Sequence, residues 1–356
     1  MKHSQLLAAL LSVLSPFASA AENEIPDDIV VTATRIEQPL AKTLASTTVL
    51  TRDDIRNSQA PDVATILRTV AGVEVAQNGG TGKASSLFLR GSNDNQVLVL
   101  LDGVRVNSAT FGTTAIEHLM LDQIDRIEVV RGNVSSLYGS EAIGGVIQIF
   151  TKRGRGAPAF NVSEGVGSHG TQRLSAGWGG AVENTEFSIQ ASRFNTDGVS
   201  AINPAIYPNA NPDNDGYDNT SVSANVRHAF NADHSVSASL FNSQGHNQYD
   251  NAYGAPTDIN TNDAQVSKLS LTSEDRLGET WMSKVQLAQG VDNYQDYLNG
   301  APVAGGSIYK TTSQQLSWQN TLGLGAGKQL LAVVEYLGQQ VDSDLQPQLD
   351  RDYRKV

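Results

Sequence analysis

TEFSIQASRF, residues 185–194, is the stretch on which the architecture turns. Phe187, Ile189 and Ala191 alternate with Ser188, Gln190 and Ser192, and in an extended chain successive side chains point to opposite faces. The same period of two returns in SVSASLFNS (235–243) through Val236, Ala238 and Leu240. In WMSKVQLAQ (281–289), Trp281, Ser283, Val285 and Leu287 alternate with Lys284, Gln286 and Ala288. QQLSWQNTLGL (314–324) continues with Leu316, Trp318 and Leu322. Between strands, GSHGT (167–171) and GAVEN (180–184) are brief, whereas residues 196–216 and 248–264 are long and polar. Short turns on one side and long loops on the other predict a transmembrane antiparallel β-barrel. A soluble β-sandwich is the alternative. Trp281 and Trp318, near strand ends, suit an interfacial aromatic girdle.

Residues 155–356 hold about nine strands at roughly ten residues each plus connections. An open sheet in lipid would leave edge N–H and C=O groups unpaired at several kcal/mol each. The expectation is therefore the first strands of an incomplete barrel, the front of a longer protein.

Moving toward the N-terminus, the pattern changes near Gly154. Residues 43–154 read as a small mixed α/β domain. APDVATILRTVAG (60–72) predicts a short helix, with Pro61 in the first turn and Val63, Ile66, Leu67 and Val70 on one apolar face. SSLFLRG (85–91) and NQVLVLLDGVRVN (95–107) read as strand–turn units, and the unbroken run Val97 to Leu101 predicts a strand buried on both faces. DQIDRIEVVRG (122–132) and GGVIQIFTKRG (144–154) add two strands, with SSLYGSEAIGG (135–145) as a Gly-rich bend.

The first twenty residues have Lys2 and His3, an apolar run from Leu6 to Leu14 and an Ala18-Ser19-Ala20 exit, the pattern of a cleaved signal peptide. A buried hydrophobic helix is the alternative. The 356 residues carry 25 Lys+Arg against 37 Asp+Glu, and a net charge of −12 argues against a nucleic-acid partner. There is no cysteine, hence no disulfide framework and no thiolate metal site. No apolar run after residue 20 reaches the length of a membrane-spanning helix.

Residues 27–39, DDIVVTATRIEQP, pose a separate question. Val30, Val31 and Thr32 favour an extended backbone, yet Pro26 and Pro39 bracket them and no turn offers a local partner. Either this is an early strand of the α/β domain or its partner is another protein.

The stretches DDIVVTATR, EQP, TTVLTRDDI, GVEVAQNGGTGKASSLFLRG, VLVLLDGVRVN, RIEVVRGNVSSLYGSEAIGGVIQI and PDNDGYD follow one another in order. With Arg90-Gly91, Asp102-Gly103 and Arg131-Gly132, they resemble the TonB-dependent outer-membrane receptors, and within them the cobalamin-transporting branch. Asn133 departs from the family's proline.

The resemblance implies a plug domain inside an outer-membrane barrel, a monomer set in outer-membrane lipid, with a periplasmic tether at 21–42. It makes Asp27, Asp28, Ile29, Val30, Val31, Thr32 and Ala33 the TonB box, which pairs with a strand of TonB by β-augmentation. It places Ala84, Ser86, Asn93, Phe111, Gly112, Asn251 and Ser307 against cobalamin. Calcium falls to Asn211, Asp213, Asp215, Tyr249 (through its carbonyl), Asp250 and Asp263, with Asp258 in reserve, as oxygen donors for a hard cation. Ser200 stands where the family has a further aspartate, with Asp197 nearby, so one or two ions remain open. A solvated acidic surface is the bland alternative. Other cargoes would be a siderophore, heme or another corrinoid. A membrane enzyme would need a catalytic constellation, and none stands out.

Two features are set aside. GGTGKAS (79–85) is similar to a phosphate-binding loop, but Gln77 and Ala84 occupy the positions that need Gly and Ser/Thr. His118, His169 and His246 show no ligand spacing and read as solvated.

Overall fold

The computed structural model describes residues 30–31, 35–36, 38–203, 205–303, 305, 308–344 and 349–355. The expected signal segment, Asp27, Asp28, Ile29, Thr32, Ala33 and Ser307 lie outside them. β1 (Val30–Val31) pairs antiparallel with β2 (Gln38–Pro39), Val31 opposite Gln38. This corrects the expectation that the segment lacks a local partner. Arg35, at φ 64°, takes the left-handed conformation that helps the chain double back. The bridge is only two residue pairs long, and Pro39 has no N–H to donate.

The plug follows as β3 (Ser46–Leu50), α1 (Arg52–Ser58), α2 (Val63–Leu67), β4 (Val73–Gln77), β5 (Ser85–Leu89), β6 (Val97–Leu101), β7 (Val104–Arg105), β8 (Ile124–Arg131), α3 (Ser135–Tyr138) and β9 (Gly145–Thr151). Its main sheet runs β3-β8-β9-β6-β7, with β6 and β9 parallel, while β4 and β5 form a separate hairpin. All five residues of β6 are buried, as its unbroken apolar run requires. Asp102 and Gly103, both at positive φ, make the tight turn into β7.

α1 starts at a reciprocal cap: the Asp54 N–H donates to Thr51 Oγ1, and the Thr51 N–H donates to Asp54 Oδ2 at 2.9 Å. α2 is shorter than expected. Its cap is Asp62, which accepts from the Thr65 N–H at 2.7 Å, so Pro61 precedes the helix instead of opening it. The Gly-rich bend at 135–145 contains α3 and a 3-10 turn at Ser140–Ala142. Asn133 Oδ1 accepts from the Ser135 N–H at 3.0 Å and so sets up that turn without proline.

Eleven strands make the second sheet: β10 (Ala159–Val166), β11 (Gln172–Val182), β12 (Thr185–Thr196), β13 (Tyr217–Ala229), β14 (His234–Tyr249), β15 (Asn260–Arg276), β16 (Trp281–Leu298), β17 (Ala301–Pro302), β18 (Ile308–Gly325), β19 (Lys328–Ser343) and β20 (Leu349–Lys355). They pair antiparallel in sequence order, with β17 hydrogen-bonded only to the end of β16, and the described sheet is open.

Burial on these strands is inverted relative to a soluble sandwich. Ser188, Gln190, Ser192, Ser221, Ser223, Ser243 and Ser313 are buried, whereas Ile189, Leu240, Leu269, Leu287 and Leu316 are about half exposed on the outer face. A soluble protein would lose free energy by that arrangement, and a wall with lipid outside and a plug inside gains by it. Trp178 stacks with Phe160 and packs on Phe187, and Trp281 and Trp318 lie on the same outer surface. The two indole N–H groups donate to Asn320 Oδ1 and Ser283 Oγ, so these rings keep polar handles beside an apolar face.

Turns at 183–184, 230–233, 277–280 and 326–327 lie at one end, and connections 167–171, 197–216, 250–259 and 299–307 at the other. GSHGT is thus a short connection at the long-loop end. The Asp197 N–H donates to His169 O there, at 2.9 Å.

The plug touches the wall mostly through polar groups. Gln123 donates to Ser192 and accepts from Ser223, Asn225 donates to Thr151 and Lys152 O, and Arg173 donates to Asp122. Lys268 from β15 pairs with Asp102. At the short-turn side, the Arg35 guanidinium grips Glu335 of β19 at 2.9 Å and lies over the Tyr138 ring. Apolar contact is confined to a few positions, among them Phe241 and Val266, which join the core of the plug.

Candidate functional site

The site lies at the long-loop end, where three plug loops meet two barrel loops. The β4–β5 hairpin carries Asn78–Ala84 at its tip, and Asn78 N–H donates to Ala84 O at 3.1 Å. Ala84 is exposed and Ser86 half-buried. Loop 92–96 carries Asn93, exposed, whose backbone N–H donates to Gln96 Oε1 at 3.1 Å. In loop 107–114, Gly112 sits at φ 74°, and a Cβ there would lie 2.9 Å from Asn95 Cβ. That approach brings the Asn93 loop against Phe111 and Gly112. Phe111 is 53 % exposed and meets Tyr309 of β18 edge-to-face at 4.9 Å. The Ala109 N–H donates to Thr311 Oγ1 at 3.0 Å, tying the same loop to the wall. An exposed aromatic ring ordered among small and amide side chains is a surface for a large neutral or amide-bearing ligand.

Across from these loops lie the acidic residues. Asp213, Asp215 and Asp250 each bring one carboxylate oxygen to within 4.8 Å of the others. Asp213 and Asp215 come from loop 197–216 and Asp250 from loop 250–259, so the cluster joins two separate connections. Asp215 Oδ2 accepts from the Ala201 N–H at 2.9 Å, and Ser200 donates to Asp250 Oδ2 at 2.9 Å. Asn211 hydrogen-bonds Asp213 and donates to Asp258 O at 3.2 Å, linking the two loops again. Burial, with the Asp250 charge, pushes the Asp215 carboxyl up to about 6 and raises that of Asp213. Asp250 Oδ1 is buried with no hydrogen-bond partner among the described residues. Three converging carboxylates, one with an orphaned oxygen, fit a hard divalent cation.

Two expected ligands fall elsewhere. On β15, Asn262, Ala264, Val266 and Lys268 are buried, so Asp263 points the other way, where His246 pairs with it at 2.7 Å. This corrects its placement with the cluster: strand parity sends it to the outer face. Asp258 caps its own turn by accepting from the Ala255 N–H at 2.7 Å. Tyr249 ends β14 beside Asp250, its hydroxyl donating to Asp296 at 3.1 Å. Asp197 approaches Gly170, and Asn251 is an exposed turn residue whose Oδ1 accepts from the Tyr253 N–H.

Two buried residues were missed or misread in the sequence. His118 is 2 % exposed and not solvated as expected; its Nδ1 lies 2.8 Å from the Tyr217 hydroxyl, and burial pushes it down to about 4. Lys83, 2 % exposed, reaches the barrel wall beside the acidic cluster, and burial lowers it to about 8 against the pull of Asp215 and Asp250. Its Gly-Lys neighbourhood was visible only as an unsuccessful phosphate loop.

Residues 39–146 match the TonB-dependent receptor plug domain. The vitamin B12 transporter BtuB of Vibrio cholerae serotype O1 is 36 % identical over 325 residues, covering 90 % of this chain and 51 % of the relative. BtuB of Vibrio vulnificus is 33 % identical over 353 residues, covering 97 % and 55 %. The chain thus spans about half the length of the curated relatives it matches. Among solved structures, the ferripyoverdine receptor of the Pseudomonas aeruginosa outer membrane superposes with a TM-score of 0.69 at 16 % identity, over 88 % of this chain and 45 % of that one. That likeness speaks for the fold. Residues 39–146 thus carry a TonB-dependent receptor plug, and the chain, with its inverted antiparallel wall, is similar to BtuB over about half of that transporter's length.

Proposed function

We propose that this chain forms the plug and leading barrel wall of an outer-membrane receptor for cobalamin. Cargo would bind at the long-loop end and pass inward when TonB pulls the 27–33 segment. The observation that carries this reading is convergence. Ala84, Ser86, Asn93, Phe111 and Gly112 share one end of the molecule with a two-loop acidic cluster. Small, amide and aromatic groups suit a large corrinoid fringed with amides, and the BtuB relatives agree with that choice.

Asn211, Asp213, Asp215 and Asp250, with the Tyr249 carbonyl beside them, would hold calcium. The ion would fasten loops 197–216 and 250–259 over the ligand, lowering the ordering cost that binding otherwise carries. No covalent step is proposed, and binding followed by plug rearrangement suffices for transport.

The test is equilibrium binding of labelled cyanocobalamin, heme and a panel of ferric siderophores to outer membranes bearing the receptor, with calcium and with chelator. The expected result is cobalamin binding tightened at least about tenfold by calcium, an energy of about 1.4 kcal/mol. Asp213→Ala with Asp215→Ala should remove the enhancement. Tight binding of a ferric siderophore without cobalamin binding would overturn the cargo, and equal enhancement in the double variant would reduce the cluster to surface charge.

A further inference from the structure

The residue left unexplained is Lys83. Gly82 and Lys83 wedge the tip of the β4–β5 hairpin into the barrel wall. A Cβ on Gly82 would stand 2.2 Å from the Tyr217 ring, so only glycine lets the tip lie flat on it. A Cβ on Gly79 would stand 3.0 Å from Ala201 Cβ, within loop 197–216 itself. From this position the Lys83 ammonium donates to Asp215 O at 3.0 Å, Gly216 O at 3.3 Å and Asn247 Oδ1 at 2.6 Å. Three donors meet three acceptors, and a buried ammonium is tolerable only when so paired. The acceptors come from loop 197–216 and from β14, which leads directly into Asp250.

We propose that Lys83 is a resident cation of the acidic cluster and a latch that fastens the plug's ligand-facing hairpin to loop 197–216. Three carboxylates offset by one ammonium leave a net charge of −2, which one divalent ion balances. The cluster is therefore a one-ion site, and loop 197–216 keeps part of its order when no metal is bound. The latch also ties loop and plug into one unit, so withdrawal of the hairpin takes the internal cation away from the loops. Lys83 acts here as a positioning residue, through the loop it holds. The one-ion part rests on the calcium reading above, whereas the latch does not.

The experiment uses calcium alone, without cobalamin, on purified receptor carrying Lys83→Met or Lys83→Arg. Calcium titration calorimetry should give one ion per wild-type chain. Lys83→Met should bind calcium about tenfold or more tighter, the scale of one nearby unit charge removed from a part-buried site. Lys83→Arg keeps the charge and should stay within about twofold of wild type. A side chain that served only to fill space would weaken calcium binding or leave it unchanged when replaced, and either result overturns the resident-cation assignment. Hydrogen exchange of residues 197–216 in chelator reads the latch separately. Protection should be lost in Lys83→Met, retained in Lys83→Arg, and restored to Lys83→Met by calcium. Unchanged protection in Lys83→Met refutes the latch. Should wild type bind no calcium while the chelator result holds, the calcium reading fails and the latch stands.

Discussion

Among single residues, the plug's least comfortable group is Glu117. It is 6 % exposed, its Oε2 has no hydrogen-bond partner among the described residues, and burial, with Asp62 and Asp292 nearby, pushes its carboxyl up to about 8. Its ordinary value is 4.5, so between pH 4.5 and about 8 the folded plug retains a proton that the unfolded chain has released. Stability from this group therefore falls as pH rises through that window and levels off above about 8. His118, next in sequence, works oppositely: buried and held down to about 4, it makes folding less favourable as pH falls below its ordinary 6.5. The two slopes oppose each other below pH 6.5, leaving Glu117 alone between 6.5 and 8. Glu117→Gln cannot ionise, so it should be more stable than wild type at pH 8 and should lose a slope of up to about 1.4 kcal/mol per pH unit. Urea midpoints of plug unfolding from pH 6.5 to 8.5 measure this, and parallel profiles for the two proteins would exclude it.

At the scale of elements, legibility followed the strength of a one-dimensional signal. The Ser188–Gln190–Ser192 alternation and the Val97–Leu101 run carry their burial in their periodicity, and both strands are where the pattern put them. The alternation also held the answer to Asp263. Counting parity back from Lys268, buried against Asp102, sends Asp263 outward. α1 escaped notice because seven residues make too few turns for a period, and its signal lies in the Thr51–Asp54 cap. Lys83 and His118 were unreadable for a different reason: their burial is made by barrel-wall residues 164 and 99 positions further along the chain. The β1–β2 bridge belongs to the same class, and it bears on the TonB proposal. Two residue pairs, one involving proline, form a weak local ladder that a longer incoming strand can replace. Val31→Pro removes a donor from any such ladder and should abolish cobalamin uptake, whereas Val31→Thr keeps the extended preference and should be tolerated. Surface binding should survive both, because the long loops lie at the other end. Uptake measured beside binding separates the cases, and normal uptake by the proline variant would sink the tether.

On the scale of the whole molecule, a plug must be held firmly in its barrel and yet be movable. Few apolar side chains join the two, and the seam is built from hydrogen bonds such as Gln123 with Ser192 and Ser223, which water can replace as the plug shifts. Ion pairs join it as well: Arg173 with Asp122 and Arg35 with Glu335 keep some exposure, whereas Asp102 with Lys268, at the β6–β7 turn, is fully buried. Asp102 also accepts from the Thr151 N–H at 3.0 Å and hydroxyl at 2.7 Å, and Lys268 donates to Ser239 at 2.7 Å. Burial would raise the Asp102 carboxyl, but Lys268 and Arg153 outweigh it and hold it below its ordinary value. Lys268→Met therefore leaves a carboxylate buried without its counter-charge, a loss of about 3–5 kcal/mol in such sites. Adding Asp102→Asn removes that orphaned charge, keeps an acceptor for Thr151 and suits the left-handed turn. The double variant should accordingly recover most of the plug stability lost in the single one. Urea midpoints, with leakage of a large antibiotic through the outer membrane as a second readout, compare the two. If the double variant is as loose as Lys268→Met, the pair holds the plug by attraction between its charges, and the cost of burying one charge alone is not what destabilises the single variant.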